Sequence, residues 1–292
     1  MLGYVIWNAD PELFSLGPFT VRWYGLAFVI GFFIGYKVVE RMFRHEGAPE
    51  KWLGILLMYV MIGTVVGARL GHVFFYAWDY YSQHPADIFK IWEGGLASHG
   101  GTIGNIIAVF LFTWLVSKKP ASWTFDKLVI PIALVGGLIR LGNLMNSEIY
   151  GSYTDLPWGF VFVRNGEVMA AHPTQIYEAL CYFALFGLLM WMYWRKNCEE
   201  RQWLITGVFF IGIFLPRFLI EYLKNVQEPW ELAMRAQYGM DQGQALSIPF
   251  ILLGIALVIY SMWHPRQHWS FPNKFPDEEE GKKGKQRGKE KK

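Results

Sequence analysis

Seven apolar runs, each long enough to cross a lipid bilayer, constrain this chain more than any other feature. They fall at about residues 22–43, 52–78, 99–116, 125–146, 175–194, 203–223 and 245–263. At 1.5 Å per residue a helix over any of them can span a hydrocarbon core of about 30 Å. Only 17% of the chain is charged, well below the roughly 25% of soluble domains. The expected fold is therefore an all-α polytopic membrane protein, a bundle of about seven transmembrane helices with small extracytoplasmic caps.

The connections between the runs set the orientation. Taken alternately, residues 37–51, 117–127, 195–202 and the tail hold 19 Lys and Arg, whereas 1–21, 79–98, 147–174 and 225–244 hold three: Lys90, Arg164 and Arg235. Positive charge collects on the cytoplasmic side, so the N-terminus is expected outside and the C-terminus inside. Residues 1–264 then form the membrane-embedded catalytic domain, with outer caps at about 79–98, 147–174 and 225–244. Residues 1–21 read as an irregular, mildly acidic arm; with no Lys or Arg they lack the positive region of a cleavable signal. Residues 265–292 read as a solvated, disordered tail with nine basic against five acidic residues. That tail accounts for the basic balance of the whole chain, so nucleic-acid binding has no support in the body.

Polar residues inside the apolar runs carry the functional signal, because charge in hydrocarbon is kept only where it meets a partner or a substrate. The stretch between Gly136 and Gly151 closes the fourth run, yet holds Arg140, Asn143, Asn146 and Glu148. Continued as a helix, the first three recur every third residue on one side. The plainer reading is an interfacial helix end with a snorkelling arginine. Five basic residues outside the loops, Arg22, Arg69, Arg140, Arg217 and Lys224, all fall at the outer level of this topology, as do Tyr24, His99, Asn143 and Glu221. Helix-end decoration would be spread over both faces. Collection at one level points to a polar cavity opening outward, in the outer half of the membrane.

Smaller constellations qualify this. The glycine-rich run Trp92–Asn105 includes Gly100, Gly101 and Gly104, which would let a helix or a ligand approach closely; helix packing is the commoner use. His99 beside them is a candidate base, since histidine titrates near neutral pH. Arg217 and Glu221 stand four apart and can pair within one helix. Arg69 sits between Gly67 and Gly71, where close packing is favoured. Tyr24 has the position of an interfacial anchor. Thr174 and Ser247 read as caps opening the fifth and seventh spans. Two cysteines, Cys181 and Cys198, exclude a disulfide framework and a Cys/His metal site. No metal or organic cofactor is called for. A lipid transporter or flippase and a membrane scaffold stand as alternatives, though no inverted repeat is visible and a scaffold leaves the aligned charges unexplained.

Several segments together resemble the prolipoprotein diacylglyceryl transferase family. They are Trp23-Tyr24-Gly25, His99-Gly100-Gly101, the stretch from Arg140 to Gly151, His172-Pro173-Thr174-Gln175-Ile176-Tyr177-Glu178, Arg217-Phe218-Leu219-Ile220-Glu221, and Gly243-Gln244 through Ser247-Ile248-Pro249. They run in order from about residue 15 to 255. One departure is Ser147, where the family pattern has glycine. The resemblance implies a bacterial inner-membrane enzyme that moves the diacylglyceryl group of phosphatidylglycerol to the lipobox cysteine of a prolipoprotein signal peptide, releasing glycerol phosphate. Its partners would be those two substrates and membrane lipid. Carried onto this chain, it implies Arg140 and Arg217 as phosphate ligands, with Glu221 orienting Arg217. His99 would activate the thiol, and Asn143 and Tyr24 would bind the glycerol headgroup or leaving oxygen. Asn146 and Arg69 would contact substrate, Gly151 would shape the backbone, and Glu148 would be an orienting group or an alternative base.

Overall fold

The computed structural model of the chain describes residues 3–17, 19–196, 198–224, 235–269 and 271. The expectation of a disordered tail, and residues 225–234 of the last cap, lie outside these. Seven long helices run in order through the described residues: α1 (Trp23–Glu46), α2 (Glu50–Tyr76), α3 (Ser98–Phe112, extended by a π turn over Thr113–Ser117), α4 (Ala121–Met145), α5 (Thr174–Lys196), α6 (Leu204–Glu221) and α7 (Gln242–Trp263). Six of them, α2 to α7, are long and apolar enough to cross a membrane. The remaining helix, α1, has 24 residues and gathers Lys37, Glu40, Arg41 and Arg44 in its second half. The chain is an all-α polytopic membrane protein. Its apolar side chains turn outward to match: Phe74, Phe75, Leu252 and Met262 are all exposed, as lipid-facing residues must be.

The arm expected to be irregular is ordered. Strand β1 (Val5–Trp7) pairs in parallel with β4 (Phe160–Phe162), and β2 (Glu12–Leu16) forms an antiparallel ladder with β3 (Phe19–Arg22). The Trp7 indole N–H donates to the Leu144 carbonyl at 2.9 Å, satisfying an acceptor that the end of α4 leaves open. Leu144, Phe162 and Ala171 form a small apolar core there, with Trp7, Tyr150 and Phe160 against it.

The described residues form two compact units, one within 39–125 together with 269 and 271, the other within 3–38 and 126–268. In the first, α2 and α3 meet along a glycine seam. A methyl group added at Gly100 or Gly104 would strike the backbone of Gly67 or Gly63. The glycines of the Trp92–Asn105 run therefore serve close helix packing, the commoner of their two readings.

In the second unit, α6 starts under control of α4. The buried Asp126 carboxylate accepts from the Trp203 N–H at 2.8 Å and from the Thr206 N–H and hydroxyl at 2.8 and 2.6 Å, covering the donors that a helix start exposes. Helix α7 begins earlier than expected. Its cap is Asp241, reciprocated by Gln244 in a capping box, and Ser247 lies inside the helix donating to the Gly243 carbonyl at 2.6 Å. Thr174 is likewise the first residue of α5, and its hydroxyl donates to the Ile149 carbonyl at 2.8 Å. It ties the preceding segment to the helix instead of capping it.

Candidate active site

Helix α4 ends at Met145, so Asn146 stands just past the helix and not on its face. The Ser147 N–H donates to the Leu144 carbonyl at 3.0 Å and the Glu148 N–H to Asn143 at 2.9 Å, the two bonds of a Schellman motif. That motif needs a left-handed residue after the cap, and Ser147 supplies it with φ of +55°. Here glycine is the usual occupant because it has no Cβ to crowd, which explains the family pattern at this position. Ser147 is 2% exposed and its hydroxyl has no hydrogen-bond partner among the described residues. Relief of left-handed strain and of the orphaned hydroxyl outweighs the extra flexibility of unfolded glycine. Ser147→Gly should therefore stabilise the protein by roughly 1 kcal/mol, read as a small rise in Tm. An unchanged or lower Tm would mean that the hydroxyl has a role in the fold.

The turn aims Glu148 back at the helix. Its carboxylate accepts from Asn143 Nδ2 at 3.2 Å and Asn146 Nδ2 at 2.9 Å, and its carbonyl accepts from Gln175 Nε2 at 2.5 Å. Asn143 Oδ1 in turn faces Arg140 Nη1 at 3.5 Å. Arg140 is ion-paired through Nε with Glu178 Oε2, and Glu178 is 1% exposed. Glu178 Oε1 lies 2.9 Å from Lys224 Nζ, which also lies 3.0 Å from Glu221 Oε2. A ladder of alternating sign results: Arg140, Glu178, Lys224, Glu221. Buried charges demand such pairing.

Backbone crossing places Lys224. The Gly151 N–H donates to the His172 carbonyl at 2.8 Å, Ser152 N–H to Leu223 at 2.7 Å, and Gly151 bridges Lys224. A Cβ at Gly151 would strike the Leu223 carbonyl and come within 2.8 Å of both His172 Cβ and Thr174 Cγ2. Close approach is what this glycine provides. His172 Nδ1 is 3.2 Å from the Tyr177 hydroxyl, and burial holds the imidazole below its ordinary pKa, favouring the neutral ring.

The remaining expected residues divide between the units. Tyr24 lies against Gly142, whose missing Cβ would sit 2.8 Å from the ring, one residue from Asn143. Arg217 and Arg140 both act electrostatically on the buried Tyr182, as does Glu178. The intrahelical pair expected of Arg217 and Glu221 does not form among the described residues: Glu221 goes to Lys224, and the missing Cβ of Gly243 leaves its carboxylate room. Within this group the ladder Arg140, Glu178, Lys224, Glu221 is neutral, and among the described residues Arg217 has no ion pair.

Arg69 and His99 belong to the other unit. Arg69 is 4% exposed and donates to four backbone carbonyls, Asp87 at 2.6 Å, Ile88 at 2.8 Å, Gly94 at 2.7 Å and Gly95 at 3.2 Å. Gly94 and Gly95 both have positive φ, at 88° and 71°, and the Tyr81 ring covers the guanidinium at 5.0 Å. Arg69 is thus an organiser of the 81–95 loop, with too few N–H groups left to be the substrate ligand it was expected to be. His99 is exposed at the start of α3 and makes no hydrogen bond among the described residues.

Glu178 and Lys224 were not picked out as site residues from sequence. The rule that flags intramembrane charge applies to Glu178 as it does to Arg140, and Lys224 stands among the five basic residues at the outer level.

These features define the class: a polytopic membrane protein with a largely buried ladder of paired charges at the end of α4. A sequence profile described as prolipoprotein diacylglyceryl transferase matches residues 11–260. The phosphatidylglycerol–prolipoprotein diacylglyceryl transferase of Porphyromonas gingivalis is 51% identical over 272 residues, covering 90% of this chain and 96% of that protein. Proteins of the same name from Tolumonas auensis and Chloroherpeton thalassium are 48% and 43% identical, covering 88% and 89% of this chain and 97% and 95% of their own lengths. The chain belongs to the prolipoprotein diacylglyceryl transferase family.

Proposed function

We propose that this chain transfers the diacylglyceryl group of phosphatidylglycerol to the lipobox cysteine of a prolipoprotein, in the outer half of a bacterial inner membrane. The cysteine sulfur attacks the glyceryl carbon, the bond from that carbon to the phosphate oxygen breaks, and a thioether and glycerol phosphate result. The thiol proton passes to a base. Two demands follow: a thiolate must form, because the thiol is the weak nucleophile, and charge developing on phosphate must meet preorganised donors.

The observation that carries the reading is the posture of Arg140. Glu178 holds it by Nε; beyond the weak approach to Asn143 and the bond to Tyr182 the guanidinium keeps N–H groups for a second anion, and it suits a phosphate because two parallel N–H bonds fit two oxygens. Arg217, without an ion pair among the described residues, is the second phosphate ligand. Asn143, Asn146 and Tyr24 border the same end of α4 and take the glycerol headgroup or the leaving oxygen, with Glu148 orienting the two amides. Purified protein incubated with phosphatidylglycerol and a lipobox peptide should yield the thioether-linked peptide and glycerol phosphate in equal amounts. Absence of both products under conditions that support a relative would sink the reading.

His99 is the proposed thiol-activating base. His99→Gln should slow turnover about 10²-fold, the usual scale of general-base assistance, while leaving phosphatidylglycerol binding intact. Raising the pH towards the ordinary thiol pKa of about 8.5 should recover part of the loss, because solvent then supplies the thiolate. A wild-type rate for His99→Gln at neutral pH would transfer the role to Glu148.

A further inference from the structure

Glu178 has two carboxylate oxygens and two cations to share them. Oε2 takes Arg140 Nε, while Oε1 is held 2.9 Å from Lys224 Nζ. A carboxylate with both oxygens free takes an arginine through two parallel N–H bonds. Such a pair would consume one of the Arg140 Nη groups along with Nε. In this fold the second oxygen faces the Lys224 ammonium as an ion pair without an aligned hydrogen bond, and Glu178 pairs with Arg140 through Nε. Among the described residues the guanidinium otherwise makes a weak 3.5 Å approach of Nη1 to Asn143 and a hydrogen bond to the Tyr182 hydroxyl, which leave part of its five N–H groups free.

Charge points the same way. Lys224 is flanked by Glu178 and Glu221, with its side chain 5% exposed. Without it Glu178 and Glu221 would lose the cation they share, and both oxygens of Glu178 would be open to Arg140 in competition with any incoming anion. Its place is set by main chain as well as side chain, through the Gly151 bridge and the bond from Ser152 to Leu223. Lysine suits the task because its ammonium is a compact point charge that can serve two carboxylates at once.

We propose that Lys224 is a positioning residue for Arg140: by occupying the second oxygen of Glu178 it keeps the Nη groups of Arg140 open for the phosphate of phosphatidylglycerol. The proposal rests on the reading of Arg140 as a phosphate ligand. Lys224 does not touch the substrate in this scheme. It sets how much of Arg140 the protein keeps for itself.

The test is steady-state kinetics on purified full-length protein with phosphatidylglycerol and a lipobox peptide. Lys224→Met should raise KM for phosphatidylglycerol about tenfold or more, the scale of one hydrogen bond to a charged group, with kcat and the peptide KM changed much less. Adding Glu178→Gln to Lys224→Met should bring the lipid KM back near the wild-type value, since the competing carboxylate has gone. A lysine that bound the phosphate directly would give no such rescue, and a purely structural lysine would lower the yield of active protein at unchanged KM; either result overturns the proposal. Should Lys224→Met fail to accumulate, Glu178→Gln alone decides. Its lipid KM should not exceed the wild-type value while kcat falls, because Arg140 is freed but no longer oriented; a raised lipid KM overturns the proposal. Arg140→Lys in the same assay separates the two levels. Full activity there removes the underlying reading, whereas loss there together with an unchanged lipid KM in Lys224→Met removes this inference alone.

Discussion

Arg140→Ala is expected to lower transferase turnover by about 10²-fold or more, the scale of losing one preorganised donor to a developing anion, while the protein still accumulates in the membrane. Both halves of the expectation come from the ladder. Arg140 meets Glu178 through Nε, and its remaining N–H groups, beyond the contacts with Asn143 and Tyr182, are open. Removing the side chain therefore deletes the open donors. It does not strand Glu178, which keeps Lys224 at 2.9 Å. Breaking a buried pair usually costs several kcal/mol because the partner is left alone; here a second cation limits that cost. Membrane fractions probed for the protein, with transfer to a lipobox peptide measured on the same samples, decide the matter. If Arg140→Ala disappears from the membrane, the residue is a structural ion-pair partner.

The second large effect is expected at Gly151. Its added Cβ would strike the Leu223 carbonyl, and a backbone oxygen held by the Ser152 N–H cannot swing aside as a side-chain tip would. Gly151 has no positive φ, so conformational freedom is not the issue; space is. Gly151→Ala should part the segment from Leu223 and Lys224, costing about 1–3 kcal/mol as overpacking commonly does and displacing Lys224 from Glu178. A lowered Tm should accompany loss of most activity. A variant with wild-type Tm and turnover would show that the crossing is looser than its geometry indicates.

The spans were legible because the bilayer imposes a length and an apolarity that a single run displays. The end of α4 was legible in its residue types and not in its geometry: nothing local announces that Asn146 leaves the helix or that Ser147 turns left-handed. The N-terminal arm misread as irregular has only three residues in β1, and its partner strand begins at Phe160; a pattern that short carries no periodic signal, and pairing across such a separation is invisible along the chain. Arg217 and Glu221 satisfy the four-residue spacing for a helical pair, yet Lys224 lies one turn on and answers Glu178 as well. A cation that serves two carboxylates, one of them buried, is worth more than one intrahelical bridge, and sequence spacing does not disclose Glu178 across the bundle. Arg69 failed for a related reason. Its acceptors are main-chain carbonyls of residues 87–95, and every residue has a carbonyl, so residue type cannot mark them.

The central claim is that Arg140 receives the lipid phosphate through its planar pair of Nη groups. Titrating phosphatidylglycerol into purified wild-type and Arg140→Lys protein, with lipid binding and thioether formation measured side by side, tests it most directly. Lysine keeps the charge and loses the fork. The predicted result is that Arg140→Lys, inserted at wild-type levels, binds phosphatidylglycerol more weakly and loses most of its turnover. Wild-type binding and turnover in Arg140→Lys would contradict it.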